Sequence, residues 1–298
     1  MKAIRMHEYG GPEMLRLEEI PTPVAGDGEI RVRVHAASVN PIDWKIRQGF
    51  LKGHLPIPFP WTPGIDFSGV TDDGAEVFGK IDLPSQGSYA EYVIAKPNGI
   101  APRPRGVDHV QAAALPLAGL TAWQALFGQK DAPGLDLRAG QTLLILGAGG
   151  AIGGLALQLA RWKGAHPIGL VRPGHESQIS DLGARAVNDP ESAGNVDAVL
   201  DLVGGELAAR AWAQVGRGGA FASALGPPSA EEATARGVRP IAVFTQTSRD
   251  QLVSLSRLVD EGVLRSIVHK TMPLSEARRA HEILQAGGIP GKLVLKVV

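Results

Sequence analysis

The chain has 298 residues, of which 44% are hydrophobic and 20% charged, with 30 basic and 30 acidic side chains and no cysteine. Such a length predicts one large domain or two ordinary ones. The balanced charge argues against a general nucleic-acid binder, and the lack of cysteine excludes disulfides, thiolate nucleophiles and cysteine-ligated zinc. Because no stretch reaches the roughly 18 apolar residues that span a bilayer, we expect a soluble, cytoplasmic protein with no nucleic-acid or membrane partner.

The N-terminal third of the chain carries strand patterns. In "EIRVRVHAAS", Val32, Val34 and Ala36 alternate with polar side chains, which is the period of a half-buried strand. "GVTDDGAEVFG" has Asp73-Gly74 between short apolar runs and predicts a tight hairpin. "SYAEYVIA" predicts another strand, whereas the proline-rich "LPIPFPWTPG" predicts irregular chain. Together these features indicate an antiparallel, barrel-like β region.

Farther along, the pattern changes to alternating strands and helices. "DHVQAAALPLAGLTAWQAL" predicts a helix interrupted at Pro116, and "SRDQLVSLSRLVDEG" predicts one that ends at Gly262. The predicted strands between them cover 142–147, 166–171, 197–201 and 219–223, and the predicted helices cover 151–163, 175–182 and 206–215. This alternation predicts a doubly wound parallel sheet, and "GKLVLKVV" predicts a short final strand.

The segment "LLILGAGGAIGGLALQLA" runs from an apolar strand through a glycine turn into a helix. In our preferred register Ala148 forms the tight turn, Gly150 lets a diphosphate approach the backbone, and Gly153 lets the helix pack closely. The register that starts at Gly147 fails at its third position, Ile152. The amides expected to bind the diphosphate at the helix N-terminus are those of Gly149, Gly150, Ala151 and Ile152. A turn that uses glycine only for packing is the alternative.

The next predicted strand bears on the choice of dinucleotide. An NAD site carries Asp or Glu about 20 residues after the glycine turn. Here the strand ends in Arg172, with His175 three residues later. Arginine binds phosphate through two parallel hydrogen bonds, and no carboxylate follows the strand directly to repel a 2′-phosphate. We therefore expect NADPH rather than NADH, with a solvated loop arginine as the alternative.

Several motifs occur in the order found in one enzyme family. They are "ASVNPIDWKIRQG", "PFPWTPGIDFSGV", "GSYAEYV", "LPLAGLTAWQAL", the glycine turn, "VDAVLDLVGG" and "GKLVL". The chain thereby resembles the medium-chain dehydrogenase/reductase superfamily, and within it the zinc-free quinone oxidoreductase (zeta-crystallin-like) branch. The resemblance implies an α/β fold with a GroES-like β-barrel domain at 1–112 and 262–298 and a Rossmann domain at 113–261. It also implies a homodimer.

The resemblance also bears on zinc. Zinc-dependent relatives place a cysteine ligand at the position of Asn40 and a Gly-His-Glu run where this chain has Gly64, Ile65 and Asp66. Both ligands are missing at these positions, and the eight histidines form no HExxH pair, so we expect no metal. Without a metal, hydride transfer to an electron-poor acceptor is easier than dehydrogenation of an alcohol. This favours a quinone or an α,β-unsaturated carbonyl as the substrate.

The same resemblance implies further site residues, to which Lys45, Phe50 and Trp61 are added from this sequence itself. Lys45 lies near Asn40 in sequence, and Phe50 stands where many relatives carry a tyrosine, so we expect Phe50 and Trp61 to make the pocket more apolar. We expect Asn40 and Lys45 to act as catalytic residues at the acceptor oxygen, with Asn40 also reaching the nicotinamide ribose. The other residues expected beside the cofactor are Thr121, Val203, Leu225, Phe244 and Lys292. The residues expected to contact the substrate are Asn40, Phe50, Trp61 and Phe244.

Several of these assignments have a structural alternative, which for Lys45 is a mainly structural role. Asn40 would serve as a turn residue before Pro41, Thr121 as a helix N-cap, Phe244 as a core aromatic and Lys292 as a solvated lysine. Two other functions stay open: a double-bond reductase for one metabolite, and a non-catalytic NADPH-binding protein of the crystallin kind. A serine hydrolase is excluded because the chain has no G-x-S-x-G elbow.

Overall fold

A computed structural model describes residues 1–129 and 131–298. The chain divides into two compact units. The first comprises Met1–Leu117, Thr247–Gly262 and Ser266–Val298, and the second comprises Ala118–Gln246 and Val263–Arg265. The predicted second domain, 113–261, therefore includes residues at both of its ends that pack with the first unit.

The structure has the following elements. The β-strands are β1 (Lys2–Arg5), β2 (Arg16–Glu19), β3 (Ile30–Val39), β4 (Asp66–Thr71), β5 (Glu76–Lys80), β6 (Tyr92–Ala95), β7 (Ile100–Pro102), β8 (Thr142–Leu146), β9 (His166–Leu170), β10 (Arg185–Val187), β11 (Val196–Asp201), β12 (Val215–Ser223), β13 (Arg239–Ala242), β14 (Val268–Pro273) and β15 (Lys292–Lys296). The α-helices are α1 (Pro41–Arg47), α2 (His109–Ala113), α3 (Pro116–Phe127), α4 (Ala151–Trp162), α5 (Glu176–Ser180), α6 (Gly205–Ala211), α7 (Ala230–Arg236), α8 (Arg249–Asp260) and α9 (Ala277–Ala286).

The first unit is built on a mainly antiparallel sheet. Its strand order is β14-β15-β3-β4-β5-β7, with β6 also paired to β3. As predicted, Val32, Val34 and Ala36 of β3 are fully buried. The hairpin prediction is confirmed as well, because β4 and β5 pair antiparallel across a turn in which Gly74 has a φ of +86°.

Helix α8 packs on this sheet and explains the difference in domain bounds. Ser256 Oγ donates a hydrogen bond to the carbonyl oxygen of Pro102 at 2.9 Å, and Arg249 Nη1 donates to that of Ile100 at 2.6 Å. Both acceptors belong to β7. The amphipathic pattern of α8 predicts the helix and its end near Gly262, but it does not show which sheet the apolar face covers.

The second unit contains the predicted doubly wound parallel sheet. Its strand order is β10-β9-β8-β11-β12-β13. Counted from β8, this is the order 3-2-1-4-5-6 of dinucleotide-binding folds. The apolar residues 143–146 of β8 are completely buried, as expected for a strand covered by helices on both faces. The fold class predicted from the strand and helix pattern is confirmed.

The predicted interruption at Pro116 is confirmed: the helical stretch forms two helices, α2 and α3, and Pro116 begins the second, because proline fits the first helical position, where no amide is needed. One boundary differs from the predicted elements. Helix α6 ends at Ala211, and β12 already begins at Val215. Val215 of β12 pairs with Val196 of β11, and the register between the two strands then shifts before Ala198. Because of this irregular start, the sequence pattern predicts the strand only from residue 219 onward. Within the described residues, no helix is both long and apolar enough to cross a membrane.

Candidate active site

The glycine turn of the second unit joins β8 to α4, where it was predicted. Gly147 has a φ of +84°, a left-handed conformation that favours glycine. The tight turn therefore lies at Gly147, not at Ala148 as predicted. Ala148 is fully buried, and its N–H donates to the carbonyl oxygen of Leu170 on the neighbouring strand β9. The prediction missed this because the glycine fingerprint alone does not show which residue takes the positive φ.

Gly150 and Gly153 differ in what surrounds them. A Cβ atom added to Gly153 would lie 2.4 Å from the carbonyl oxygen of Gly147 and 2.7 Å from the Cα of Ala148, so glycine permits the close packing of α4. Among the described residues, a Cβ added to Gly150 would meet only the Gly147 oxygen, at 3.4 Å. The space beside the helix N-terminus at Gly150 is therefore open.

The predicted amide ligands are not all equivalent. The N–H of Gly150 donates to the carbonyl oxygen of Gly147 within the turn. Ala151 and Ile152 belong to the first turn of α4, whose N–H groups have no acceptor within the helix. Gly149 is half-buried beside them. An anion at this helix end would thus be bound mainly by the amides that begin at Ala151.

Arg172 and His175 lie in the turn that follows β9. Arg172 is exposed, and its carbonyl oxygen accepts a hydrogen bond from the His175 amide. His175 Nδ1 lies 3.1 Å from Gln178 Nε2, and the Oε1 of Gln178 would lie 3.4 Å from a Cβ on Gly149. Gln178, which the sequence analysis did not consider, therefore links this turn to the glycine turn. The carboxylate of Glu176 accepts from Asn188 Nδ2 at 2.9 Å.

Three exposed apolar side chains line the carboxyl ends of neighbouring strands. Val203, Leu225 and Phe244 each stand two residues beyond the end of β11, β12 and β13. Their exposed fractions are 47%, 51% and 70%. Large apolar side chains that stand together in solvent are typical of a ligand surface. The structure thus brings together three of the residues predicted beside the cofactor, and it excludes a core role for Phe244.

A buried carboxylate supports two members of this row. Asp201 Oδ1 accepts hydrogen bonds from the amides of Val203 at 3.0 Å and Gly204 at 2.7 Å, and Asp201 Oδ2 accepts from Ser223 Oγ at 3.1 Å. Ser223 Oγ in turn accepts from the Leu225 amide at 3.2 Å. Asp201 therefore joins the ends of β11 and β12. The motif "VLDLVGG" does not predict this role, because it shows a strand end but not the direction of the Asp201 side chain.

Thr121 lies inside α3 and not at its N-cap, because the helix begins at Pro116. Its hydroxyl oxygen is 2.6 Å from that of Thr245, the residue after Phe244. One turn farther along α3, Gln124 contacts the backbone of Gln246. The predicted position of Thr121 beside the cofactor stays a prediction, and the structure adds a link from α3 to the segment that carries Phe244.

The first unit holds a buried polar cluster of four side chains: Ser38, Asn40, Asp66 and Lys292. Asp66 Oδ2 accepts from Ser38 Oγ at 2.8 Å, Asn40 Nδ2 at 3.0 Å and Lys292 Nζ at 3.2 Å. Lys292 Nζ also donates to Ser38 Oγ at 3.1 Å and to Asn40 Oδ1. Asp66 Oδ1 accepts from the Leu117 amide at 2.8 Å. Lys292 is 5% exposed, which excludes the solvated alternative.

This cluster bears on the predicted roles of its members. The three N–H bonds of the Lys292 ammonium match the three oxygens around it. Both polar atoms of the Asn40 amide are also engaged. A hydrogen bond from Asn40 to a ribose or an acceptor would have to replace one of these bonds, so its catalytic role stays a prediction.

The same cluster does not fit a catalytic zinc ion. The Lys292 ammonium already lies between Asn40 and Asp66, where it would repel a dication, and the buried Ile65 beside them offers no ligand atom. In the part of the chain that the structure describes, no three His, Cys, Asp or Glu side chains lie close enough to hold a metal.

Asp43 lies directly beneath the cluster and supports Asn40. Asp43 Oδ2 accepts hydrogen bonds from the backbone N–H of Asn40 at 2.8 Å and from the Tyr89 hydroxyl at 2.9 Å. Burial raises the pKa of Asp43 to about 7, although both hydrogen bonds act in the opposite direction. Asp43 thus has a structural role as the third helical residue of α1, whose carboxylate accepts from the backbone amide of the N-cap residue Asn40 in a capping box.

The raised pKa of Asp43 predicts a pH effect on stability. Because the pKa is higher in the folded than in the unfolded state, its contribution is complete below about pH 4 and is lost as the pH rises through about 7. We compare the unfolding free energies of the parent and of Asp43→Asn. Between pH 4 and pH 8, the unfolding free energy of the parent should fall by roughly 3 kcal/mol relative to that of the variant. Urea titrations at several pH values measure this difference. Asp27→Asn, at an exposed carboxylate, is the control, and parallel curves for Asp43→Asn and the parent would refute the assignment.

The three remaining predicted residues lie in different environments. Lys45 is half-buried, with its ammonium 5.9 Å from the ring centroid of Trp44, and the exposed Phe50 makes an edge contact with the same ring. Trp44, which the sequence analysis overlooked, thus brings Lys45 and Phe50 together. Trp61 is fully buried, and its Nε1 donates to the carbonyl oxygen of Ser85 at 2.8 Å. It belongs to the core of the first unit, and we drop it from the substrate pocket.

Comparisons with known proteins agree with this architecture. Residues 26–105 match the family "Alcohol dehydrogenase GroES-like domain", and residues 176–295 match the family "Zinc-binding dehydrogenase". The chain is 30% identical to "NAD(P)H oxidoreductase RTN4IP1, mitochondrial" of Bos taurus, with 100% of this chain and 89% of the relative covered. It is 29% identical to "Quinone oxidoreductase" of Mus musculus, with 99% and 97% covered.

Solved structures show the same similarity. The quinone oxidoreductase from Coxiella burnetii superposes with a TM-score of 0.88 at 35% identity and covers 100% of this chain and 99% of its own. A structure described as an NAD-dependent alcohol dehydrogenase gives a TM-score of 0.90 at 28% identity, with 100% of both chains covered. The homodimer and the cytoplasmic location stay predictions. The chain belongs to the medium-chain dehydrogenase/reductase superfamily and is an oxidoreductase related to quinone oxidoreductases.

Proposed function

We propose that the protein is an NADPH-dependent oxidoreductase that transfers hydride to a quinone or an α,β-unsaturated carbonyl without a metal. The observation that carries this proposal is the open N-terminus of α4 at Gly150, which follows the first strand of a 3-2-1-4-5-6 parallel sheet. The exposed row of Val203, Leu225 and Phe244 on the same unit supports it, because a nicotinamide ring needs an apolar surface.

We assign the following roles to the residues of the proposed site. The first turn of α4 would bind the diphosphate, and Arg172 the 2′-phosphate. When bound, the nicotinamide supplies the hydride, while the apolar row keeps water away from its ring. Lys45 is the candidate donor to the acceptor oxygen, with Phe50 beside it as an apolar contact to the substrate.

The proposal is tested by following NADPH oxidation optically against a panel of quinones, enals and enones. We expect turnover with at least one class, and a loss of turnover when Lys45 is replaced by methionine if Lys45 donates to the acceptor oxygen. Tight NADPH binding without turnover on any acceptor would favour the non-catalytic alternative. Turnover confined to one metabolite would favour a dedicated double-bond reductase.

The cofactor preference depends on Arg172. We expect the parent protein to prefer NADPH, and Arg172→Asp to weaken NADPH binding about tenfold or more while NADH binding changes little, because the new carboxylate repels the 2′-phosphate. Dissociation constants from nucleotide fluorescence titrations measure both. Arg217→Asp, at another exposed arginine of the same unit, is the matched control. A parent protein without preference would contradict the role of Arg172.

A further inference from the structure

Gln124 on α3 makes a two-bond contact with one residue of the chain that follows β13. Its Nε2 donates to the carbonyl oxygen of Gln246 at 2.8 Å, and its Oε1 accepts from the amide of Gln246 at 2.9 Å. Gln124 is 4% exposed. The side-chain amide of Gln124 therefore makes the two hydrogen bonds that a neighbouring strand would otherwise make with Gln246. It pairs both the N–H and the carbonyl oxygen of Gln246 from a buried position.

This contact holds the backbone next to Phe244. The amide of Val243 donates to the carbonyl oxygen of Ser223 at 2.9 Å, and the hydroxyl of Thr245 lies against that of Thr121. The backbone is thus tied down immediately before Phe244 and for two residues after it. Yet the Phe244 side chain is itself 70% exposed.

A large aromatic side chain on a fixed backbone is poorly explained by folding alone. An exposed phenyl ring does not contribute the hydrophobic free energy that its burial would give to folding. Holding its backbone in one conformation costs conformational entropy as well. Both features favour binding, because an apolar contact that is already ordered loses less entropy when a ligand arrives.

We propose that Gln124 is a positioning residue that fixes the direction of Phe244 and thereby sets the preference of the site for planar, apolar acceptors. This inference rests on the proposed function. In this proposal Gln124 acts on the acceptor through the segment 243–246 and not by its own contact with the cofactor or the acceptor. Replacing it should therefore have an effect only while Phe244 is present.

The chain offers a matched control in Gln158 on α4. Its Nε2 donates to the carbonyl oxygen of Arg265 at 3.1 Å, and its Oε1 accepts from the amide of Arg265 at 2.9 Å. Gln158 is likewise buried. It makes the same two-bond contact as Gln124 but on a different segment of the same unit.

The test is a double-mutant cycle between Gln124→Met and Phe244→Ala, since methionine nearly preserves the shape of glutamine. We expect each single variant to lower kcat/KM for a quinone about tenfold through a raised KM, and the double variant to lower it about tenfold and not a hundredfold. Gln158→Met should change kcat/KM less than twofold and combine additively with Phe244→Ala. Hydrogen exchange should rise in residues 243–246 of Gln124→Met only.

Each contrary outcome overturns the inference in a different way. Additive losses from Gln124→Met and Phe244→Ala would show that Gln124 does not act through Phe244. An unchanged KM in Gln124→Met, with the parent enzyme active, would refute the inference and leave the proposed function intact. A parent protein that binds no NADPH would overturn both. Gln124→Glu keeps the acceptor for the Gln246 amide but places a carboxylate oxygen against the Gln246 carbonyl oxygen, so it should show a loss at least as large as that of Gln124→Met. It replaces Gln124→Met in the cycle if Gln124→Met does not fold.

Discussion

Replacing Lys292 by methionine is expected to lower the free energy of unfolding by about 4 kcal/mol. Asp66 is fully buried, and among the described ion pairs its carboxylate pairs only with the Lys292 ammonium. The same ammonium also donates a hydrogen bond to Asn40 Oδ1. Methionine fills a similar volume but leaves a buried carboxylate without a counter-charge. Breaking a buried pair from one side is costly for this reason, whatever the net contribution of the intact pair.

Urea denaturation of Lys292→Met, Asp66→Asn and the double variant measures the coupling. We expect the double variant to recover a large part of the loss, because a neutral amide in place of Asp66 needs no ammonium. Lys296→Met, at an exposed lysine on the same strand, should change the unfolding free energy by less than about 0.5 kcal/mol. The role of the buried cluster would be refuted if Lys292→Met and Lys296→Met changed the unfolding free energy equally. It would also be refuted if the losses from Lys292→Met and Asp66→Asn simply added in the double variant.

The sequence predicts most of the fold because the relevant signals are local. The alternation in β3, the Asp73-Gly74 hairpin and the strand, turn and helix around Gly150 each depend on residues within one short segment. Val203 and Leu225 could be expected just beyond strand ends for the same reason, whereas β13, the strand before Phe244, was not predicted, and Phe244 was expected only from the family resemblance. Their exposure, and the row they form, depend on strand order and become visible only in the structure.

What the sequence does not predict depends on contacts between distant residues. Lys292 and Asn40 are 252 positions apart, and Gln124 and Gln246 are 122 apart. No local pattern distinguishes a lysine that closes a buried cluster from one that contacts a cofactor. In the same way, the proline-rich segment around Trp61 predicts irregular chain and does not show that the tryptophan packs into the core instead of contacting the substrate. The domain bounds near α8 differ because amphipathicity does not identify the sheet that a helix covers.

The second large effect is expected at the glycine turn. Gly150→Val should weaken NADPH binding a hundredfold or more, because its methyl groups would occupy the open space that a diphosphate needs beside the helix N-terminus. The folded protein should tolerate the change, since in the described part of the chain the added Cβ meets no atom nearer than the Gly147 oxygen at 3.4 Å, its chain neighbours and helix backbone aside, and the φ of Gly150 is −80°. We expect a loss of no more than about 1 kcal/mol in unfolding free energy, the usual cost of a poor N-cap.

Gly153→Val is the matched control, one turn farther along the same helix. Its Cβ would lie 2.4 Å from the carbonyl oxygen of Gly147, and neither the helix nor the turn can yield without disturbing β8. We expect it to lower the unfolding free energy by about 3 kcal/mol and to lose nucleotide binding as a consequence. Calorimetric titration with NADPH, combined with urea unfolding, separates the two cases.

The comparison of the two glycines tests the site itself and not only the fold around it. A variant that folds normally but no longer binds NADPH places the diphosphate at the open end of α4. If Gly150→Val bound NADPH as tightly as the parent, the helix N-terminus would not be the diphosphate site. The strand order and the glycine turn would then describe a fold without the function proposed for it, since related folds carry different sites.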